Sequence, residues 1–400
     1  MIKFSLAKKR NTILSFFMAH ILSAFGYEFI FFIMTLRVYH LSKNALNVGI
    51  FTALTFFPRL FSPFYGTIVD QYPRERVFAV VSGLTGLMII IMSYISNIFW
   101  IYSLWFFISI FLVFIGNVRA ALMADILVKD NFLLGNSLIL VSTTSAKILA
   151  PLLCGFVVIY VDLKYLLYFT GLVYFIVTLT CTMIKLPNRI QINRDKKLAA
   201  HILEGFQFIR RNPDLRFLFL IIFTRSLFLG LQTSSFVIYI KSYLARGDTD
   251  YGLFLTVIGV GSLLGSILGP WVAKRIKSSF LTIGGLGFSY GANSLLGLNS
   301  SYPIALIIVF FSFLVFYITV VALHSLRDKA ITTNIRGNIY GSVIALLTIP
   351  SIISMLAGGY LATIYGVNTV LLVSGILALV SLGVISLNKE HAKANQGIWF

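Results

Sequence analysis

Apolar runs of about twenty residues alternate with short polar breaks along the whole chain. Twelve can be set out, at residues 11–36, 47–66, 77–96, 99–121, 136–160, 165–184, 217–240, 251–273, 280–298, 303–325, 338–365 and 370–387. A hydrocarbon core of about 30 Å is crossed by about 20 helical residues, and a helix in lipid satisfies its own backbone polar groups. The pattern predicts an all-α membrane protein with twelve transmembrane helices. The longest polar break, 185–216, divides them six and six. The expected organisation is an N-terminal bundle over 1–184, a cytoplasmic linker over 185–216 and a C-terminal bundle with a cytoplasmic tail over 217–400. Leu198, Ile202, Phe206 and Ile209 would line one side of a linker helix lying along the membrane surface. The first run exceeds the roughly 7 to 15 apolar residues of a signal peptide and lacks an A-x-A-like site, so it reads as a retained helix.

Composition strengthens this picture: 58% hydrophobic and 11% charged residues with a mean hydropathy of +0.92 lie far from the roughly 25% charged residues of soluble domains. The net charge of +19 acquires its meaning from where the charges sit. Of 32 Lys and Arg, 24 fall in the gaps on the side of the N-terminus and five (Arg37, Lys43, Lys164, Lys241, Arg246) on the opposite side. Lys and Arg mark cytoplasmic loops, so both termini are expected in the cytoplasm of a bacterial inner-membrane protein. The basic charge is then topological, and nucleic-acid binding is set aside.

Other chemistries find no support. Cys154 and Cys181 fall in apolar runs without metal-ligand spacing, the five His are scattered, and no phosphate-binding Gly-rich loop occurs. No enzyme, cofactor or metal is expected. Gly135-Asn136 opens the fifth run and Gly337-Asn338 the eleventh, each followed by a Pro (Pro151, Pro350), which points to an internal repeat and two pseudo-symmetric six-helix bundles. Gly261, Gly265 and Gly269 form a small-residue stripe suited to close helix packing.

The stretch Gly66-Thr67-Ile68-Val69-Asp70-Gln71-Tyr72-Pro73-Arg74-Glu75-Arg76 resembles the cytoplasmic loop signature of the major facilitator superfamily. Gln71 and Pro73 depart from it, so Gly66, Asp70, Arg74 and Arg76 carry the likeness. Asn117 to Asp125 with Asn136-Ser137, and Glu204 to Pro213, are similar to the macrolide-efflux and enterobactin-export branch. The fifth run carries Ala150-Pro151 and Gly155 where antiporters of the superfamily show Gly-Pro and a Gly pair. The resemblance implies the two-bundle transporter fold and a cytoplasmic gate built from Gly66, Asp70, Arg74, Arg76 and Arg119. Asp70 can accept hydrogen bonds from neighbouring Arg groups and latch that face, or the cluster is ordinary positive-inside anchoring.

Charges inside the runs are the remaining candidates, because burying them is costly. Lys147 lies mid-run with Thr143, Thr144 and Pro151 on its face; Arg225 has Gln232 two turns along; Arg59 is close enough to an end to snorkel. Glu28 shares its helix face with His20, Ser23 and Tyr27. Glu28, with His20, either couples cargo movement to protons or neutralises a buried cation. Lys147, Arg225, Arg59, Thr143, Tyr27 and Gln232 are the substrate-binding candidates. Three cations against one carboxylate favour an anionic cargo. The leading expectation is a monomeric, proton-coupled secondary exporter of an anionic amphiphile, a siderophore first; macrolide or multidrug efflux and lysophospholipid or glycolipid flipping stand as alternatives. A passive channel fits less well with a repeat and buried mixed charge.

Overall fold

A computed structural model of the chain describes residues 6–126, 132–184, 207, 210, 213–330 and 336–387. Described elements are helical throughout: α1 (Leu6–Ser42), α2 (Ala45–Phe56), α3 (Ser62–Gln71), α4 (Arg74–Tyr94), α5 (Ile98–Ile126), α6 (Phe132–Val157), α7 (Leu163–Thr182), α8 (Pro213–Thr233), α9 (Asp248–Ala273), α10 (Ser278–Leu298), α11 (Tyr302–Ala330), α12 (Arg336–Tyr365) and α13 (Val367–Leu387). Short turns join α2 to α3 (Phe57–Phe61) and extend α8 through Phe236–Ile238 and Tyr239–Tyr243. The linker helix expected at residues 198–209 lies outside the described residues apart from Gln207.

Ten described helical stretches are long and apolar enough to cross a membrane, and two of the twelve expected crossings differ in character. The second, expected as one run, is broken into α2, the 3-10 turn Phe57–Phe61 and α3. Pro58 within the turn has no N–H to donate, and its ring displaces the preceding turn. The ninth, α10, has the length, but its Gly284, Gly285, Gly287, Gly291 and Asn293 make it less apolar. Pro151, Pro270 and Pro350 lie inside α6, α9 and α12.

The chain forms two compact units. The first comprises Met1–Leu41 and Phe61–Lys196, the second Ser42–Leu60 and Lys197–Phe400. In the first unit α4 and α7 meet through Gly86 and Gly171. A Cβ on Gly86 would stand 2.8 Å from the Gly171 carbonyl oxygen, so the two backbones touch directly. Thr178 Oγ1 donates to the Ala79 carbonyl across the same seam, at 3.1 Å.

The second unit packs α9 on α11, α10 on α11 and α13, and α12 on α8 and α2. The Gly261, Gly265 and Gly269 stripe of α9 lies against α11, with Phe310, Leu314 and Val321 where side chains would otherwise project. Phe217, Leu218, Ile221, Phe228, Leu286, Tyr290 and Phe316 form the centre of a buried cluster in this unit. By its packing α2 belongs here: a Cβ on Gly49 would stand 2.7 Å from the Met355 carbonyl oxygen and 3.0 Å from Gly359 Cα.

Candidate functional site

The first unit has a polar interior made by α1, α5 and α7. On α1, His20 and Ser23 are buried and Tyr27 and Glu28 half-buried, as their helical spacing requires. Arg119 on α5 donates from Nη1 to Ser23 Oγ at 3.2 Å. Arg119, expected at the cytoplasmic gate near the end of run 99–121, lies on α5, which runs on through Ala120, Ala121, Leu122 and Met123 to Ile126 and leaves it two turns inside the helix. Its Nε has no hydrogen-bond partner. Tyr174 on α7 is fully buried with its hydroxyl unpartnered, within electrostatic reach of Arg119, Tyr27 and Glu28. Gly26 on α1 makes room for its ring, since a Cβ there would stand 2.9 Å from Tyr174 Cε2. His20 is 1% exposed and stacks on Phe16, ring centroids 6.5 Å apart. Arg119 and the Ile139 carbonyl neighbour it, yet neither ring nitrogen reaches hydrogen-bond geometry.

At one end of this unit lies a second charged group. Arg74 Nη1, at the start of α4, donates to Asp125 Oδ2 at 2.8 Å and to the Ala121 carbonyl at 2.9 Å, joining α4 to the end of α5. Arg76, two residues on, is exposed. Gly66 and Asp70 fall on α3, and the side-chain surroundings of Asp70 lie outside the described residues.

The second unit holds Arg225 and Gln232 on α8. They line a small cavity with Leu229, with Ser289, Tyr290 and Asn293 of α10, and with Ser312, Phe313 and Phe316 of α11. The guanidinium carbon of Arg225 stands 5.4 Å from the centroid of the Phe316 ring, a cation–π distance. Gln232 Nε2, Tyr290 Oη and Asn293 Oδ1 are buried without hydrogen-bond partners. The Ser289 and Ser312 hydroxyls are engaged: Ser289 Oγ donates to the Gly285 and Ser312 carbonyls, and Ser312 Oγ to that of Ser289.

The remaining candidates have local surroundings of their own. Arg59, on the turn between α2 and α3, places its guanidinium carbon 4.0 Å from the centroid of the Phe56 ring. Lys147 is exposed on α6 in the first unit. Thr143 is half-buried, and its hydroxyl donates to its own helix at Ile139 (2.8 Å) and Leu140 (3.0 Å). Tyr27 stacks on Phe31. Arg37, expected in an outer gap, is instead part of α1 and donates to the carbonyls of Met92, Ser93 and Ile95 at the end of α4. Tyr174, Tyr290 and Asn293 were not sequence candidates. Among the abundant Tyr and Asn of apolar runs nothing marks them out, because their role depends on which helix each one faces.

An all-helical chain with membrane-length helices and buried cations, arranged in two units, defines a multi-pass membrane carrier. Residues 16–355 match the Major Facilitator Superfamily, and the chain belongs to that superfamily. It is 24% identical over 374 residues to an uncharacterized MFS-type transporter, YfiS of Bacillus subtilis (strain 168), covering 89% of this chain and 87% of that protein. Its fold is similar to that of a variant of the nucleoside transporter NupG, with a TM-score of 0.79 and 12% identity over 94% of this chain and 99% of that one. A bacterial homolog of the human lysosomal transporter Spinster, in an inward-facing and unoccupied conformation, gives a TM-score of 0.73 and 12% identity over 99% and 98%. The chain is a membrane transporter of the twelve-crossing, two-bundle fold.

Proposed function

We propose that this transporter is a monomeric, proton-coupled exporter of an anionic, amphiphilic small molecule, with a carboxylate or catecholate siderophore as first cargo. It would act in the bacterial cytoplasmic membrane with both termini inside. The sign of the buried charge carries this reading. Arg59, Arg119 and Arg225 are half-buried on crossing segments and Lys147 is exposed on α6, while Glu28 is the acidic residue placed well inside a span. Desolvated cations are costly, and an anionic group that forms charge-assisted hydrogen bonds with them offsets that cost.

In this reading Lys147, Arg225, Arg59, Thr143, Tyr27 and Gln232 are the residues that bind the cargo. Glu28 and His20 handle the proton. Gly66, Asp70, Arg74 and Arg76 form the cytoplasmic gate, supported by the pair that Arg74 makes with Asp125. Arg119, expected at the gate, is assigned to the interior because its Nη1 bonds Ser23, one turn from His20.

Transport into inverted vesicles under an imposed pH gradient tests the proposal, comparing a catecholate siderophore with a cationic drug. Siderophore uptake that collapses with the gradient is expected, and Glu28→Gln should uncouple it. Proton-independent movement of the drug without siderophore uptake would replace this reading with drug efflux. Movement of a lysophospholipid alone would replace it with lipid flipping.

A further inference from the structure

The cavity beside Arg225 contains an unmet demand for hydrogen bonds. Gln232 is 2% exposed, Tyr290 4% and Asn293 5%. One polar atom of each (Nε2, Oη and Oδ1) has no partner, and all three residues line the same cavity. An unpartnered buried polar group costs about 1 to 3 kcal/mol, and three around one space indicate that something occupies it.

The lining states the sign of the occupant. Arg225 and the Gln232 amide nitrogen only donate, and the Tyr290 hydroxyl donates. Asn293 donates as well if its amide is turned, an orientation that follows whatever it binds. No carboxylate lines the cavity among the described residues. A water could bridge Gln232, Tyr290 and Asn293. The guanidinium in the lining, beside the apolar Leu229, Phe313 and Phe316, raises a positive potential that favours an anion over a water. The cavity measures about 10 Å³, room for about one water-sized group, which excludes a whole organic cargo.

We propose that this cavity of the second unit is a site for one compact anionic group, either a carboxylate oxygen or a halide ion, held by Arg225, Gln232, Tyr290 and Asn293. The two sources share one chemistry, and the site does not depend on what the carrier exports or in which direction.

The test uses the purified full-length protein in detergent, with its melting midpoint followed at fixed ionic strength in chloride, formate and the bulky anion gluconate. Chloride or formate should raise the midpoint saturably, as binding to the folded state requires, and gluconate should not. Tyr290→Phe and Gln232→Met should each weaken the apparent affinity about tenfold, while Lys164→Gln in the first unit leaves it unchanged. A response to formate alone assigns the site to a carboxylate of the cargo; a response to chloride assigns it to a resident halide. Bromide anomalous scattering from crystals of the unaltered protein gives a readout independent of any variant, with a peak beside Tyr290 expected for the halide. Identical melting in all three anions would make the cavity a water site and overturn the proposal. Failure to export a siderophore would leave these titrations untouched.

Discussion

Arg74 donates to Asp125 at 2.8 Å, with side-chain exposures of 12% and 14%, and so ties the first turn of α4 to the last turn of α5. A hydrogen bond between charged groups is worth about 1.5 to 3 kcal/mol, and a partner left alone away from water costs more than losing both. Asp125→Asn should therefore lower the stability by about that amount. Adding Arg74→Gln should then cost less than it does alone. A double-mutant cycle by thermal melting measures the coupling, and strictly additive effects would show that the pair is not energetically linked.

The contact of α2 with α12 leaves no room for a side chain. A Cβ on Gly359 would stand 2.7 Å from the Ala45 carbonyl oxygen and 3.0 Å from Gly49 Cα. Gly359→Leu must part the two backbones, at about 1 to 3 kcal/mol for overpacking. Gly383→Ala adds its methyl to open space and should be neutral or slightly stabilising. Melting midpoints of the two variants check the contrast.

Arg37 closes the end of a helix that is not its own. Its guanidinium donates to the carbonyls of Met92 (2.9 Å), Ser93 (3.3 Å) and Ile95 (2.6 Å), groups that a helix C-terminus leaves without partners. Arg37→Met should cost about 2 to 3 kcal/mol and fray the last turn of α4. Faster amide hydrogen exchange over residues 90–95 is the expected signature. Arg37→Lys, a single point donor, should fall between.

Arg119 separates stability from transport. Replacing a buried charge by an apolar residue of similar volume is often neutral or stabilising, and its Nε is unpartnered. Arg119→Met should thus keep the unfolding free energy within about 1 kcal/mol of the original, while anion transport falls. A large loss of stability would make Arg119 a structural tie to Ser23.

The crossings were legible in the sequence because hydropathy is a local property. The 19 Tyr and 37 Phe blur any reading of which face is buried, since lipid accepts aromatic bulk that water would not. Charge was legible in number but less so in place. Arg37 looks like a loop residue because the apolar run ends one residue before it, yet helices continue until their backbones find caps. Arg225 and Gln232 announced themselves as polar residues in an apolar run. Tyr290 and Asn293, which share their cavity, come from a helix about 60 residues away, and that meeting is set only by packing.

Asn44 and Thr363 also meet, the threonine hydroxyl donating to Asn44 Oδ1 at 3.0 Å across 319 residues of sequence. A ribosome adds about 5 to 20 residues per second. By that clock α2 leaves the ribosome roughly 15 to 60 s before the helix that fills its glycine face exists. During that interval the Gly49 groove is open to lipid, to other nascent helices or to an insertion chaperone. Assembly of the second unit is therefore complete only after α12 has emerged, and a chain truncated before α12 leaves α2 without its mate.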